Sequence, residues 1–282
     1  MTALLVSILF LYLLYLLWEA HTARVARKKL AHVVHVNGTR GKSTVSRLIE
    51  AGLRAGGLRV FCKTTGTDPL TIDVNGREEP IRRRGKANIK EQIAILRRAA
   101  AQNAQVLVVE CMAITPEFQQ ASQRDILRAD IGVITNVRRD HTDVMGDTLP
   151  QIAEALCHTV PQGGVLLTAE TVMAERLKTA AEKNGSSFVC AEVRGDEGTL
   201  DFPENVALAL AVCEELGVPR ETAFAGMQRF SRDPYALSLY RLGKAAFIGG
   251  LSINDIQSIC MVWEKLCAEH GIAHQPGTVD IG

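Results

Sequence analysis

Runs of apolar residues alternate with stretches of helical periodicity along most of the chain. The runs that have the length and composition of buried strands are VVHVN (33–37), LRVFC (58–62), QVLVVE (105–110), DIGVITN (130–136), GVLLTA (164–169) and SSFVCA (186–191). Helical patterns begin at about residue 42 and cover ENVALALAVCEELG, which ends at the stop signal Gly217-Val218-Pro219. Two late strands, LSLYRL and AAFIGG, and a helix over 254–270 follow. Such alternation predicts an α/β fold, with a mostly parallel sheet and helices on both faces.

The N-terminal segment has a different pattern. Residues 2–18 carry no charge, and at ~1.5 Å per helical residue they span roughly 25 Å, near the lower limit for crossing a bilayer core. The cations Arg24, Arg27, Lys28 and Lys29 all follow this segment, whereas a cleavable signal peptide carries its positive charge first. Residues 1–20 are therefore predicted to be an uncleaved anchor in the cell membrane, with the rest of the chain cytoplasmic. The alternative is a buried helix of a soluble domain. Residues 21–31 are interpreted as a basic linker.

Composition narrows the classes of function. The 282 residues are 47% hydrophobic and 22% charged, enough for one substantial core. A net charge of +1 gives no general attraction to nucleic acid, so a nucleic-acid partner is not expected. The seven cysteines are scattered without a CxxC pair, which fits neither a disulfide framework nor a zinc site.

The strongest chemical signal is VVHVNGTRGKSTVSRLIE, in which an apolar strand enters a glycine-rich turn and then an amphipathic helix. Gly38 and Gly41 allow close approach of the backbone to phosphate oxygens, and the helix N-terminus adds free N–H groups. Lys42 is expected to reach the β and γ phosphates, and Ser43 to bind magnesium. The pattern predicts binding of ATP with Mg²⁺; the alternative is an ordinary glycine-rich turn.

The segment GTRGKST resembles the GTNGKTT loop of Mur ligases and folylpolyglutamate synthases. This resemblance implies that the nucleotide is bound by Gly38, Thr39, Arg40, Gly41, Lys42, Ser43 and Thr44. VVECMA, TNVRRDHTD, FPENVALALAV and GLSINDIQS resemble further segments of the same superfamily. They imply roles for Glu110 on magnesium, His141 at a second metal, Asn205 near the adenine and Asp255 at the ribose.

Each of these residues also has a structural interpretation. Glu110 fits a solvated carboxylate at a strand end, and His141 fits an exposed loop histidine. Asn205 and Asp255 fit helix N-caps. Cys111, beside Glu110, is expected to be a buried small hydrophobic residue rather than a nucleophile.

A narrower resemblance comes from KTTGTD, RRRGKANIKEQ, ECMAITPE and DHTDVMG, which are similar to segments of the ligase subunit of bacterial poly-γ-glutamate synthases. It implies an ADP-forming amide ligase that uses Lys42, Glu110 and His141 in catalysis. Glutamate and poly-γ-glutamate are the implied substrates, and other subunits of a capsule-synthesis complex the implied partners. Thr65 and the basic run Arg82, Arg83 and Arg84 are candidate substrate contacts, since closely spaced cations suit a polyanion.

Two features depart from the superfamily pattern. The carbamylated lysine expected about fifteen residues beyond the DH pair is missing from AEALCHT, and Glu154 is a candidate replacement. The ATP-binding domain is placed at 32–270, and the tail 271–282 is too short for the separate domain with which the superfamily normally ends. The alternatives are a membrane-anchored P-loop ATPase or kinase, and a non-catalytic assembly subunit.

Overall fold

A computed structural model describes residues 1–66, 68–83, 85, 87–195, 200, 202–231, 238–242, 245–249, 259–260, 263–264 and 267. The chain divides into two compact units, Met1–Ser231 and Arg232–Gly282. The second unit contains an antiparallel pair of strands, Ser238–Leu242 and Ala245–Gly249, which confirms the two late strands. Asp255 lies outside the described residues, as does most of the helix predicted over 254–270.

The first unit is built on one sheet whose strand order is β4-β3-β2-β5-β1-β6-β7-β8. Strands β1, β2, β5, β6, β7 and β8 pair in parallel, and the short strands β3 and β4 add an antiparallel edge beside β2. The strands are β1 His32–Asn37, β2 Val60–Thr64, β3 Leu70–Ile72, β4 Glu78–Pro80, β5 Val106–Glu110, β6 Ile131–Ile134, β7 Val165–Thr168 and β8 Ser187–Cys190. The predicted parallel α/β sheet is confirmed.

The helices of the first unit lie on both faces of the sheet. They are α1 Thr2–Lys28, α2 Lys42–Ala55, α3 Glu91–Ala101, α4 Pro116–Gln120, α5 Thr142–Met145, α6 Leu149–Leu156, α7 Ala174–Lys183, α8 Pro203–Glu215 and α9 Arg220–Met227. A π-helical turn, Ala121–Leu127, continues α4, and a 3-10 turn, Cys157–Thr159, continues α6.

Alternate residues of each strand enter different cores because side chains along a strand point to opposite faces. Val34 and Cys62 pack with α2, α8 and α9 on one face. Val33 and Phe61 pack on the other face, with α3, the π-helical turn and the end of α1. Burial of β1 and β5 on both faces explains why the central strands are continuous apolar runs.

The prediction of a basic linker over residues 21–31 is wrong, because α1 occupies most of that range. It continues without interruption to Lys28, and its last turns pack on the domain, where Ala23 and Ala26 are buried. The segment is long and apolar enough to cross a membrane, and its first part, up to Trp18, is largely exposed. The small side chains of the last turns allow close packing, so the helix leads directly into the domain.

Candidate active site

The glycine-rich turn lies at the carboxyl end of β1, between β5 and β6 in the middle of the sheet. Such an edge is where ligands bind in open α/β sheets. The helix α2 begins at Lys42, so its first N–H groups and the positive end of its dipole face this turn. The Lys42 ammonium donates to the carbonyl oxygens of Gly38 at 2.7 Å and Thr39 at 3.2 Å. The turn therefore has the form of a P-loop with its lysine at the centre.

Gly38 and Gly41 are required by packing as well as by backbone conformation. Their φ angles are +127° and +78°, which side-chain-bearing residues rarely adopt. A Cβ atom at Gly38 would overlap Thr135, and one at Gly41 would lie 2.8 Å from Asn205 Oδ1. The sequence pattern indicated only room for phosphate, whereas the structure shows that neighbouring side chains use the same space.

The buried carboxylate of Glu110 joins two loops beside the P-loop. Its Oε2 atom accepts hydrogen bonds from Ser43 Oγ at 2.8 Å and from the backbone N–H of Thr65 at 2.6 Å. Glu110 is 3% exposed, so it is not a solvated carboxylate at a strand end. The structure thus brings together three residues that the sequence had assigned from separate segments.

The segment after β6 is tied to the P-loop by a set of polar contacts. Asn136 Oδ1 accepts from Thr39 Oγ1 at 2.7 Å and from the Arg40 N–H at 3.1 Å. The Arg40 carbonyl in turn accepts from Thr135 Oγ1 at 2.5 Å and from Asn136 Nδ2 at 3.1 Å. These contacts fix the P-loop from the β6 side. Thr135 and Asn136 were not among the predicted site residues, although both begin the quoted TNVRRDHTD segment.

His141 follows this segment and is exposed. Its backbone is left-handed, with φ of +47°, and its Nε2 atom lies 3.8 Å from Asp140 Oδ2. Asp140 also pairs with the Arg40 guanidinium at 3.4 Å, which connects the histidine loop to the P-loop. Glu170, missed by the sequence analysis, supports the same loop by accepting from the Val137 N–H at 2.8 Å. The metal-binding role of His141 stays a prediction.

The donor set fits a magnesium ion held jointly with a nucleotide. No group of three or more His, Cys, Asp or Glu side chains suited to a metal occurs among the residues that the structure describes. Ser43 and Glu110 supply adjacent hard oxygen atoms instead, and Mg²⁺ is commonly held by one or two carboxylates together with phosphate oxygens and water.

Asn205 lies against the P-loop, and its alternative interpretation as a helix cap is wrong. The helix α8 begins at Pro203 with Phe202 as its N-cap, so Asn205 is inside the first turn. It is 8% exposed and its amide group adjoins Gly41. This position is compatible with a contact to nucleotide, but the adenine assignment stays a prediction.

A buried ion pair lies behind the site and was not predicted. Lys63, with no exposed side-chain surface, contacts Glu91 at 2.9 Å, while Arg83 donates to both carboxylate oxygens of Glu91, at 2.8 and 3.1 Å. Burial lowers the pKa of Lys63 despite the attraction of Glu91. Burial alone would raise the pKa of Glu91, but the hydrogen bond from Arg83 and the Lys63 charge lower it below its usual range. Glu91 is therefore ionised at neutral pH and holds both cations.

The remaining candidate residues, the basic run and Glu154, differ in their surroundings. Arg83 is committed to Glu91, Arg82 is exposed, and Arg84 lies outside the described residues. Glu154 is exposed and lines a cavity of about 740 Å³ whose walls include neither Ser43 nor Glu110, which argues against it as a replacement metal ligand.

Cys111 behaves as a buried hydrophobic residue. It is 3% exposed, and burial raises the pKa of its thiol to about 11. The thiol is therefore protonated at neutral pH and is a poor nucleophile.

Comparison with known proteins agrees with the fold. Residues 36–199, more than half of the chain, match the Mur ligase middle domain. The chain is 39% identical over 246 residues to the capsule biosynthesis protein CapB of Bacillus anthracis, covering 83% of this chain and 53% of that protein. It is 38% identical over 247 residues to the PGA synthase CapB of Bacillus subtilis (strain 168), covering 83% and 63%.

The chain thus spans less than two thirds of the length of both curated relatives. A solved structure of bifunctional folylpolyglutamate synthase/dihydrofolate synthase with Mn, AMPPNP and L-glutamate bound superposes with a TM-score of 0.64. That likeness covers 89% of this chain and 70% of the other at 17% identity, so it concerns the fold. The chain belongs to the Mur ligase family.

Proposed function

We propose that this chain is the nucleotide-binding part of an ATP-dependent, ADP-forming amide ligase that joins glutamate into poly-γ-glutamate. The observation that carries the proposal is the meeting of Ser43, Glu110 and the Thr65 backbone beside the P-loop. A hydroxyl and a carboxylate next to a helix N-terminus suit a magnesium-bound triphosphate. The two CapB relatives support the choice of polymer through their names.

ATP binding is assigned to the P-loop residues that the sequence indicated, from Gly38 to Thr44. In this proposal the Lys42 ammonium moves from the carbonyl oxygens of Gly38 and Thr39 to the β and γ phosphates of ATP. Asn205 adjoins the nucleotide, and Asp255 is proposed to meet its ribose. Magnesium, held by Ser43 and Glu110, would offset negative charge on the phosphates, and His141 is proposed for a second metal position.

The proposed chemistry has two steps. A carboxylate oxygen of the acceptor attacks the γ phosphorus of ATP, the bond between that phosphorus and the β–γ bridging oxygen breaks, and an acyl phosphate and ADP form. The amine nitrogen of the incoming glutamate then attacks the acyl carbon, the carbon–oxygen bond to phosphate breaks, and the amine loses a proton. Lys42 and the amides of the P-loop stabilise charge during the first step, and the enzyme forms no covalent intermediate.

The basic run is proposed to contact the growing polyanion mainly through Arg82. Arg83 serves a different purpose, because its bidentate pair with Glu91 positions the loop. We expect Arg82→Ala to weaken oligoglutamate binding. We expect Arg83→Ala to lower the free energy of unfolding. Equal affinity of the wild type and Arg82→Ala for oligoglutamate would contradict the contact.

The helix α1 is proposed to anchor the chain in the cell membrane. It is the described helix that is long and apolar enough to cross a bilayer. Cations follow the apolar part, which favours a cytoplasmic position for the domain. Other subunits of a capsule-synthesis complex are proposed partners.

The proposal is tested with membranes that carry the chain, incubated with Mg²⁺, ATP and glutamate. ADP, AMP and acid-stable amide-linked glutamate are measured for the wild type, Lys42→Ala and the control Lys178→Ala. Lys178 is an exposed cation on α7, so its loss matches the charge change without touching the P-loop. We expect ADP and polymer from the wild type and the control, and neither from Lys42→Ala.

Other products would point elsewhere. ADP without polymer would favour an ATPase or kinase, or dependence on partner subunits. AMP would contradict the acyl-phosphate mechanism. Polymer made by a complex that contains Lys42→Ala would favour an assembly role without catalysis.

A further inference from the structure

A cavity of about 640 Å³ lies where α1 leaves the proposed membrane segment and joins the domain. One wall is the face of α1 formed by His21, Arg24, Val25 and Lys28, with Arg27 at its edge, and the other wall is Ile126 and Arg128. We call this cavity the basic groove. The nucleotide site does not use it, since none of the P-loop residues lines it.

The residues of α1 that line the basic groove share one helix face. Positions 21, 24, 25 and 28 follow the i, i+3, i+4, i+7 spacing that places side chains along a single stripe. The opposite side of the helix buries Ala23 and Ala26 against the domain. The groove is therefore bounded by a helix that cannot rotate without exposing its packed face.

Charge in the basic groove is positive and largely uncompensated. Arg27 pairs with Asp130 at 2.5 Å and also donates to the carbonyl oxygens of Leu127, Arg128 and Leu30. Its role is structural. Arg24, Lys28 and Arg128 are exposed cations, and no acidic residue is among those that line the groove in the described part of the chain.

Arg128 is held in place by an unusual backbone. It caps the π-helical turn with φ of +47° and ψ of +52°, a left-handed conformation that residues with a side chain rarely adopt. Its N–H donates to the Gln123 carbonyl at 2.7 Å, and its own carbonyl accepts from Arg27 Nε at 3.1 Å. The turn thus presents the Arg128 side chain opposite α1.

The basic groove lies at the level of the lipid headgroups along the axis of α1. If the hydrocarbon ends near Trp18, then Arg24 lies about 9 Å and Lys28 about 15 Å further along the helix axis at ~1.5 Å per residue. Helical side chains lean toward the N-terminus, which here means back toward the bilayer. Polar headgroup layers extend several ångströms beyond the hydrocarbon. The side chain of Arg24 therefore reaches that layer, and that of Lys28 lies at its outer edge.

We infer that the basic groove binds the phosphate of an anionic phospholipid headgroup in the leaflet that faces the domain. Arg24, Lys28 and Arg128 are the ligands, and Val25 and Ile126 supply apolar contact for the glycerol region. Basic clusters beside a membrane helix attract anionic lipids by about 1 kcal/mol per cation, which is roughly fivefold in affinity. The inference rests on the membrane anchor of the proposed function and adds a lipid preference to it.

The test uses the full chain in nanodiscs of phosphatidylcholine, with and without phosphatidylglycerol. Native mass spectrometry counts the lipids that remain bound, and thermal unfolding reports the effect of the anionic lipid. We expect preferential retention of phosphatidylglycerol and a higher Tm with it. The variant Arg24→Ala/Lys28→Ala/Arg128→Ala is expected to lower that preference by roughly fivefold per cation removed.

A matched control removes three exposed cations that do not line the basic groove. The variant Lys29→Ala/Arg124→Ala/Lys178→Ala has the same change in net charge and is expected to keep the lipid preference. Arg128→Gly is a second variant, because glycine relieves the left-handed strain while removing the cation. It is expected to lose part of the preference with no decrease in Tm in neutral nanodiscs.

The outcomes are distinguishable. Release of the wild type from membranes by alkaline carbonate would overturn the anchor and this inference with it. A retained wild type that binds both lipids equally, or an equal loss of preference in the control, would overturn the headgroup site alone. Binding of soluble oligoglutamate in the basic groove, in place of phosphatidylglycerol, would overturn the lipid assignment. The ligase assay does not depend on any of these three outcomes, so it tests the proposed ligase activity separately.

Discussion

The P-loop edge of the sheet and the contact between α1 and the domain both depend on charged side chains, but they hold those charges differently. At the P-loop edge, Glu110 meets the short Ser43 hydroxyl and a backbone N–H, all attached to strand ends or a helix start. At the α1 contact, the long side chain of Lys90 reaches Glu19 at 2.8 Å, and Arg97 lies 5.0 Å over the Trp18 ring.

The difference teaches where a single substitution has a large effect. Short groups on rigid elements fix a geometry that no neighbour can restore, and burial makes an unpaired charge costly. Long, partly exposed side chains contribute through several weaker contacts, which water screens. We therefore expect large losses at the P-loop edge and small, distributed losses along α1.

The largest expected effect on stability is at Lys63. Replacing Lys63 with Met removes a fully buried cation from Glu91, but Glu91 keeps its two hydrogen bonds from Arg83, so we expect the free energy of unfolding to fall by about 1.5–3 kcal/mol. Urea unfolding in detergent, followed by circular dichroism, measures the change. Lys90→Met breaks the exposed pair with Glu19 and serves as the control, for which we expect a much smaller change. Similar losses in both variants would remove the distinction between the two regions.

The next effect is on activity at Glu110. Glu110→Gln keeps the shape of the side chain but removes the negative charge beside Ser43, and we expect polymer formation to fall roughly 100- to 1000-fold. The measurement is initial rate as a function of Mg²⁺ concentration. Glu117→Gln, on the exposed side of α4, is the control. Unchanged magnesium dependence in Glu110→Gln would show that Glu110 does not hold the ion.

A third effect depends on pH and involves His35, which connects the sheet to the π-helical turn beneath α1. Burial lowers the pKa of His35 to about 4, although the hydrogen bond with Gln123 at 2.8 Å opposes this. The unfolded chain takes up the proton near pH 6.5, so this contribution to stability is complete above that pH and is lost as the pH falls toward 4.

The expected slope is about 1.4 kcal/mol per pH unit for this residue across that window. Urea unfolding at a series of pH values measures it, and His35→Asn, which cannot titrate, is expected to flatten that part of the curve. A wild-type slope that persists unchanged in His35→Asn would assign the effect to other groups.

The smallest effect is expected at Arg97 in the α1 contact. Arg97→Ala removes a hydrogen bond to the Glu19 carbonyl at 3.2 Å, a hydrogen bond to Thr22 and the contact with Trp18. We expect a loss of about 1–2 kcal/mol, because the acceptors of the Arg97 guanidinium are neutral and the contacts are only partly buried. Limited proteolysis at the junction of α1 and the domain measures the local opening. Protection equal to that of the wild type would show that the contacts of Arg97 do not hold the helix against the domain.

Much of the fold and part of the site follow from local patterns. The apolar strand runs, the turn with Gly38 and Gly41, and the start of α2 at Lys42 depend on neighbouring residues, and the structure has them where the sequence predicted them. The pairing of Ser43 with Glu110 was also predictable, because parallel strands bring their carboxyl ends to one edge.

Only the tertiary structure decided which polar groups meet across long sequence separations. The space taken by Thr135 beside Gly38, the contacts of Asn136 with the P-loop and the pairing of Lys63 with Glu91 join segments whose approach no local pattern specifies. The same holds for residues 21–31, whose basic composition indicated a linker. Burial of Ala23 and Ala26 and the bonds of Arg27 to the domain stabilise a continuous helix there, because tertiary packing outweighs local propensity.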